Sequence, residues 1–183
     1  MKQLIFTILF IVVIIQNSFA QNFEWAKSLG GISDEFVYSI AIDSFGNVYT
    51  VGYFAGSIDF DPGIGTFLLN SGSGEDMFIQ KLDAQGNFVW AKQMGGISNA
   101  YGNSISIDEI GNIYISGNFL GTADFDPGSG TFNMTSAGNY DIFIQKLNSN
   151  GDFIWARQMG GSMVEGITNI TIDKAGNIFN RIF

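Results

Sequence analysis

The sequence of 183 residues contains no cysteine and no histidine, and it has only 8 basic residues against 17 acidic ones. Without cysteine, the chain can form no disulfide and has no lipid-anchored cysteine behind a leader. The lack of both residue types excludes the commonest general base, the thiol nucleophile and most transition-metal sites. The acidic balance argues against partners such as nucleic acid or an anionic membrane, because both require a basic surface.

The N-terminal segment, residues 1–20, has the composition of a secretory signal peptide. Lys2 provides a positive start, residues 4–15 are apolar with one exception, and residues 18–20 form a small-x-small cleavage site. An apolar run of about 12 residues spans about 18 Å as a helix, which is short of the ~30 Å hydrocarbon core. The sequence therefore predicts cleavage before Gln21, a mature chain without a membrane span, and a secreted or cell-surface location.

The rest of the sequence repeats itself at a fixed interval. The three tryptophans, Trp25, Trp90 and Trp155, are evenly spaced and set the period at 65, and residues 36–96 align with residues 101–161 without a gap. A fixed period of this length indicates a repeat architecture, in which each unit stacks on a neighbour to bury its hydrophobic faces. We therefore divide the chain after the signal peptide into the closing strand of a preceding unit (21–35), two full repeats (36–100 and 101–165) and a truncated third repeat (166–183).

Each full repeat is predicted to contain two β-hairpins. The pattern Asp/Asn-x-x-Gly-Asn/Asp occurs five times, starting at Asp43, Asp83, Asp108, Asn148 and Asp173. Each copy lies between two runs rich in β-branched and aromatic residues, and Asp or Asn followed by Gly at these positions is typical of a tight turn. We interpret these residues as turn formers rather than as site residues.

A third, smaller hairpin is predicted within residues 55–75. Residues 58–61 alternate between apolar and acidic, with Phe60 expected to point inward, and residues 62–65 have the composition of a turn. Four main antiparallel strands per repeat, with a glycine pair near each junction, favour β-propeller blades over a solenoid or a sandwich. The predicted fold class is all-β, an incomplete propeller of two full blades flanked by partial ones.

Several strings occur at fixed spacing, residues 90–96, 104–108, 111–114, 117–119, 124–128 and 141–147. They resemble the SBBP repeat, the seven-bladed β-propeller repeat, and the resemblance covers nearly all of residues 23–179. It implies a propeller in a secreted or surface-exposed bacterial protein, and such proteins are often large. The family shares no catalytic residues, so the resemblance implies none here.

After residue 179 the sequence departs from the repeat pattern. A propeller needs at least about four blades to close, so two full blades cannot form a ring alone. We interpret the chain as a truncated product or a fragment of a longer protein. The alternative is that the ring closes by self-association through the open blade edges, which otherwise invite aggregation.

The two Asp-Phe-Asp-Pro-Gly boxes contain the only repeated carboxylate pairs outside the hairpin turns, Asp59 with Asp61 and Asp124 with Asp126. One interpretation is a calcium site, because calcium prefers oxygen ligands, although each box supplies two side chains where calcium takes about six to eight oxygens. The other is structural, with the carboxylates setting the Pro-Gly turn. A glycosidase pair is less consistent with the pattern, because a catalytic pair is needed once and this one recurs.

The sequence thus predicts a non-catalytic module that needs no cofactor and serves protein or glycan interaction or scaffolding. One alternative is a calcium-binding repeat module that uses the two boxes. Another is a fragment of a larger carbohydrate-active extracellular protein. The tryptophans fit either a stacking surface for sugars or packing between blades, and the second interpretation is favoured.

Overall fold

The computed structural model describes residues 24–30 and 34–182. The predicted signal peptide lies outside these residues. Within them all regular structure is β-strand and every strand pair is antiparallel, so the all-β prediction is confirmed. The strands are β1 (Glu35–Ile42), β2 (Val48–Asp59), β3 (Leu68–Leu82), β4 (Phe88–Gly96), β5 (Ala100–Ile107), β6 (Ile113–Phe119), β7 (Thr122–Asp124), β8 (Asn133–Thr135), β9 (Asp141–Leu147), β10 (Phe153–Met159), β11 (Ile167–Ile172) and β12 (Ile178–Ile182).

Blades 1 and 2 are four-stranded sheets of the same design. Blade 1 has the order β1-β2-β3-β4, within a six-stranded sheet that continues into β7-β8, and blade 2 has the order β5-β6-β9-β10. The main strands that follow one another in a repeat are neighbours in its sheet, so each blade is an antiparallel meander. Both first hairpins carry a register shift at the same repeat position, between Val37 and Ser39 in blade 1 and between Gly102 and Ser104 in blade 2.

The predicted small hairpin is present in both repeats. In blade 1 it is the far end of β2 and β3, where residues 57–59 pair with residues 68–70. In blade 2 it is the separate pair β7–β8. Phe60 is fully buried, with its ring centroid 5.2 Å from that of Phe54 and 4.8 Å from that of Phe78. Burial of a Phe side chain contributes about 1.5–3 kcal/mol, so this contact holds the hairpin against its blade.

The five predicted turns are confirmed as Asx-type turns. At the first of them, Asp43 Oδ1 accepts the backbone N–H groups of Phe45 and Asn47, both at 2.9 Å. Gly46 has a φ of 83°, in the left-handed region that favours glycine. The same side-chain-to-backbone bonds recur at Asp83, Asp108, Asn148 and Asp173.

The core lies between the two blades. Val51 and Met77 lie on the face of blade 1 that points toward blade 2, which we call the back face. They pack there against Ile105 and Phe143 of blade 2. The pair β11–β12 forms a two-stranded sheet beyond blade 2, and residues 24–30 contact blade 1 through a bridge between Gly30 and Asp59. The described residues therefore form two blades and flanking segments, and not a closed ring.

Candidate functional site

The first carboxylate of each Asp-Phe-Asp-Pro-Gly box closes the small hairpin that contains it. Asp59 Oδ1 accepts the backbone N–H groups of Asp61 at 3.0 Å and of Phe67 at 2.8 Å. Asp124 Oδ1 binds the equivalent groups of Asp126 and Phe132 at 2.9 and 2.8 Å. One side chain thus joins both ends of the hairpin loop.

The second carboxylate of each box shapes the loop itself. Asp61 Oδ1 accepts the N–H of Gly63 at 2.8 Å, and a Cβ atom on Gly65 would lie 2.1 Å from Asp61 Oδ2. The second loop has the same arrangement around Asp126. These contacts agree with the turn-setting interpretation. Among the described residues no three His, Cys, Asp or Glu side chains form a group that could hold a metal ion, and calcium at these four positions stays a prediction.

A buried glutamine anchors each hairpin to its blade. Gln80 Nε2 donates to the backbone carbonyl of Phe60 at 2.7 Å, and Gln145 Nε2 donates to that of Phe125 at 2.5 Å. Both glutamines are at most 2% exposed. The sequence analysis assigned them no role, although their recurrence inside the same Phe-Ile-Gln-Lys-Leu string was a signal that could have identified them.

The hairpin of blade 2 also pairs with blade 1. Gly95 and Gly96 at the end of β4 pair with Asp124 and Ala123 of β7. The approach requires glycine, because a Cβ atom on Gly96 would lie 2.3 Å from the carbonyl oxygen of Thr122. The glycine pair near the repeat junction is therefore the place where one repeat accepts the hairpin of the next.

A solvent-open groove of about 560 Å³ lies along this junction, between the small hairpin of blade 1 and that of blade 2. Asp124 and Asp126 line the groove together with Lys92 and Gln93. Asp59 and Asp61, on the small hairpin of blade 1, are not among its lining residues. The buried Asp76 is also in its wall. Burial raises the pKa of Asp76 to about 6, against the side-chain bond from Gln93 and the backbone bond from Gly96.

Trp25 and Trp90 pack on turns of the following blade. Trp25 Nε1 donates to the carbonyl of Ala84 at 3.1 Å, and a Cβ atom on Gly86 would lie 2.8 Å from the Trp25 ring. Trp90 has the same relation to Gly151, at 3.1 Å. These half-buried rings agree with the packing role between blades that the sequence favours.

A row of aromatic rings, which the sequence analysis did not find, runs from blade 1 to blade 2. Phe36 stacks on Tyr53 with centroids 5.1 Å apart, Tyr38 lies 5.6 Å from Tyr53, Tyr53 contacts Tyr101 at 4.9 Å, and Tyr101 stacks on Tyr140 at 5.7 Å. We call these five residues the aromatic row. Phe36 and Tyr38 are half-exposed, with 50% and 54% of their surface accessible. The row lies at the end of the blades from which the small hairpins project.

A second surface is the face of blade 1 that points away from blade 2. Val37, Ile40 and Ile42 on β1 are 51%, 62% and 66% exposed, and we call this the front face. Residues 24–30 cover one side of it and leave a cavity of about 350 Å³ whose lining includes Trp25, Val37 and Ile40. An exposed apolar surface of this kind is characteristic of an interaction site.

These blades and their repeated hairpins define a class, that of β-propeller repeat proteins. Within the described residues there is no helix long and apolar enough to cross a membrane. The sequence model of the SBBP family, described as a beta-propeller repeat, matches residues 24–53 and 89–118. The two matches begin at the same position of successive repeats, and the chain therefore carries repeats of this family.

Two curated proteins show similarity over longer stretches. The regulatory protein FlaEY of Caulobacter vibrioides is 22% identical over 104 residues, which cover 57% of this chain and 11% of the relative. An uncharacterized WD repeat-containing protein, L264 of Acanthamoeba polyphaga mimivirus, is 28% identical over 150 residues, or 76% of this chain and 11% of the relative. The matched region is thus about a tenth of the length of these relatives.

Proposed function

We propose that this chain is a non-catalytic propeller module of a secreted or cell-surface protein and that it binds other macromolecules through exposed surfaces of its blades. One contrast carries the proposal. Ile40 of blade 1 is 62% exposed, whereas Ile105, at the same position of blade 2, is 6% exposed. The same side chain at the same place is a surface residue in one blade and a core residue in the other, because blade 1 covers blade 2.

The front face fits the back face of another blade of this class. The contact between blades 1 and 2 shows this fit, because Ile105 packs in one cluster with Val51 and Met77 of the preceding blade. Its backbone N–H also donates to the hydroxyl of Ser39 on that blade, at 3.3 Å. Ile40 presents the same apolar side chain at the equivalent position. Blade 2 covers the back face of blade 1, and β11–β12 covers that of blade 2. In a solution of this chain alone, the sheet left to cover the front face is therefore β11–β12 of a second copy.

Two further observations support the rest of the proposal. Residues 1–20 have the charge and apolar pattern of a secretory leader, which supports export. The repeated carboxylates of the two boxes bind backbone N–H groups of their own loops, which supports a structural rather than a catalytic role for them.

The test is the mass of the chain that begins at Gln21, measured in solution over a range of concentrations by light scattering. We expect concentration-dependent association that Ile40→Asp abolishes, because a carboxylate cannot be buried unpaired in an apolar contact. Ile110→Asp is the matched control, since Ile110 is 83% exposed but lies in the β5–β6 turn. Association that persists in Ile40→Asp, or a wild-type chain that stays monomeric, would refute binding through the front face.

A further inference from the structure

The outer edge of blade 2 ends in a glycine pair that no small hairpin covers. At the same repeat position in blade 1, the glycine pair 95–96 pairs with the small hairpin of blade 2. Gly30, one repeat earlier, forms a bridge with Asp59 in the small hairpin of blade 1. Gly160 and Gly161 follow β10 at the equivalent place, and among the described residues they have no strand partner. Two of the three glycine sites therefore hold a hairpin, and this third one holds none.

A buried carboxylate beside the third glycine pair lacks a hydrogen bond that its counterpart makes. In blade 1, Asp76 Oδ1 accepts the backbone N–H of Gly96 at 3.3 Å. Asp141, at the same position of blade 2, is fully buried and lies directly against Gly160. Its Oδ2 accepts two hydrogen bonds, but its Oδ1 has no partner within the described part of the chain. Buried polar atoms of native proteins normally have a partner, so this oxygen indicates that the end of blade 2 lacks a neighbour.

The methionine just before each glycine pair shows the same contrast. Met94 is 2% exposed, because it packs in one cluster with three buried side chains of the blade 2 hairpin. Met159, at the same position of blade 2, is only half-buried. Met163 and Val164, which follow the third glycine pair, are 73% and 62% exposed. The open edge thus combines unpaired backbone groups with an apolar surface, as a site for an added strand does.

The occupied glycine sites show which ligand fits the open one. Each of them holds the small hairpin of the following repeat, and that hairpin carries the Asp-Phe-Asp-Pro-Gly box. Such a hairpin brings both groups that the open edge lacks, the backbone of a pairing strand and apolar side chains to cover the methionine. Both small hairpins of this chain are already held within it, so a second copy has none to offer. The hairpin must therefore come from another protein.

We propose that the edge formed by Met159, Gly160 and Gly161 binds the small hairpin of a β-propeller repeat on a different polypeptide. Pairing with the hairpin fixes the backbone so that the N–H of Gly161 donates to Asp141 Oδ1, as its counterpart in blade 1 does. The hairpin also buries Met159. This site goes beyond the binding at the front face, because that face belongs to blade 1 and each site can be occupied without the other.

The experiment is calorimetric titration of the chain that begins at Gln21 with a cyclic peptide of residues 121–136, the small hairpin of blade 2. Head-to-tail cyclisation suits this segment, because the N–H of Ser136 already donates to the carbonyl of Gly121 at 2.9 Å. We expect the peptide to bind the wild-type chain. In a control peptide, Asp replaces Ala123, which is 2% exposed in the docked hairpin. We expect no binding of this peptide, because a carboxylate cannot be buried there unpaired.

Gly161→Ala tests the location of the site. In the free chain the nearest atom to an added Cβ is Glu165 Oε1 at 3.5 Å, so alanine fits the fold. In the docked state the Cβ would meet the hairpin, since a Cβ on Gly96 would lie 2.3 Å from the carbonyl oxygen of Thr122. We expect the variant to bind the peptide at least tenfold more weakly. Phe45→Ala, in the β1–β2 turn and 84% exposed, is the control and should bind like the wild type.

Hydrogen exchange gives a readout at the site itself. The N–H of Gly161 should exchange more slowly when the peptide is bound, because it then donates to Asp141. Failure of the cyclic peptide to bind a folded wild-type chain would overturn the proposal, as would equal binding by Gly161→Ala. Self-association that Gly161→Ala abolishes would give the edge to a second copy and overturn it too. Ile40→Asp should leave peptide binding unchanged, so failure here is distinct from failure of the association test.

Discussion

The hydroxyl oxygen of Ser104 accepts a hydrogen bond from the backbone N–H of Ile170 at 3.2 Å, across the boundary between blade 2 and β11. One repeat earlier, the hydroxyl oxygen of Ser39 accepts the N–H of Ile105 at 3.3 Å. Each bond joins the first strand of one unit to the first strand of the next. The first strands β1, β5 and β11 belong to three different sheets, so this serine supplies a polar contact between first strands that no ladder joins.

We expect Ser104→Ala to lower the free energy of unfolding by about 1–3 kcal/mol, because the Ile170 N–H is buried and loses its acceptor. The measurement is urea unfolding followed by circular dichroism. Ser106→Ala, two residues along the same strand and half-buried, should change the stability by less than about 0.5 kcal/mol. Equal losses in the two variants would show that the bond does not join the units.

The glycine pairs allow a second matched test at one repeat position. A Cβ atom on Gly96 would lie 2.3 Å from the carbonyl oxygen of Thr122, which belongs to the docked hairpin of blade 2. At Gly161, one repeat later, the nearest atom is Glu165 Oε1 at 3.5 Å. We therefore expect Gly96→Ala to destabilise the chain by about 2–3 kcal/mol and Gly161→Ala by less than about 0.5 kcal/mol.

The measurement for the glycine pair is again urea unfolding, with both variants compared to the wild type. The two substitutions are chemically identical, so their difference reports only the docked hairpin. A Gly96→Ala variant as stable as Gly161→Ala would mean that the hairpin of blade 2 does not rest on β4.

Local chemistry explains what the sequence could predict. The turns at Asp43 and its counterparts are encoded within five residues. The acidic residues on either side of Phe60 predict that its side chain points into the blade. Contacts between distant segments could not be predicted in the same way. Gly96 meets Thr122 only after two blades have formed. The aromatic row joins rings from four separate segments, and among its members only Phe36 and Tyr101 share a repeat position.

Asp76 predicts an unusual pH dependence of stability. Burial raises its pKa in the folded protein to about 6, above the value of 3.8 that an exposed Asp has. The folded state then binds the proton more tightly than the unfolded state, so stability falls as the pH rises from about 4 to about 6 and levels off above. A shift of this size corresponds to a loss of about 3 kcal/mol.

The check is the free energy of unfolding from pH 4 to pH 8 in the wild type and in Asp76→Asn, which has no titrating group at this position. We expect the fall to be absent from the variant. Hydrogen bonds from Asn87 and Asn177 lower the pKa values of Asp83 and Asp173. Their protonation therefore reduces the stability of the protein only as the pH falls below about 4. A fall of equal size in Asp76→Asn would assign it to another group.

The Asp-Phe-Asp-Pro-Gly boxes give the last prediction. Asp124→Ala removes the acceptor of two backbone N–H groups, those of Asp126 and Phe132, so we expect a loss of about 1–3 kcal/mol. The loss should be the same with calcium chloride and with a chelator, because both partners belong to the same hairpin. Glu109→Ala is the control, since its side chain is 70% exposed and should be neutral.

Thermal melting of the chain with calcium chloride and with a chelator decides between the turn-setting role and calcium binding. If the boxes bind calcium, the Tm of the wild type rises when calcium replaces the chelator, and the rise disappears in the double variant Asp59→Ala/Asp124→Ala. If the carboxylates only close their loops, the double variant melts lower by a similar amount in both buffers. A calcium-dependent rise that survives the double variant would place the metal elsewhere in the chain, because neither box would then retain its first carboxylate.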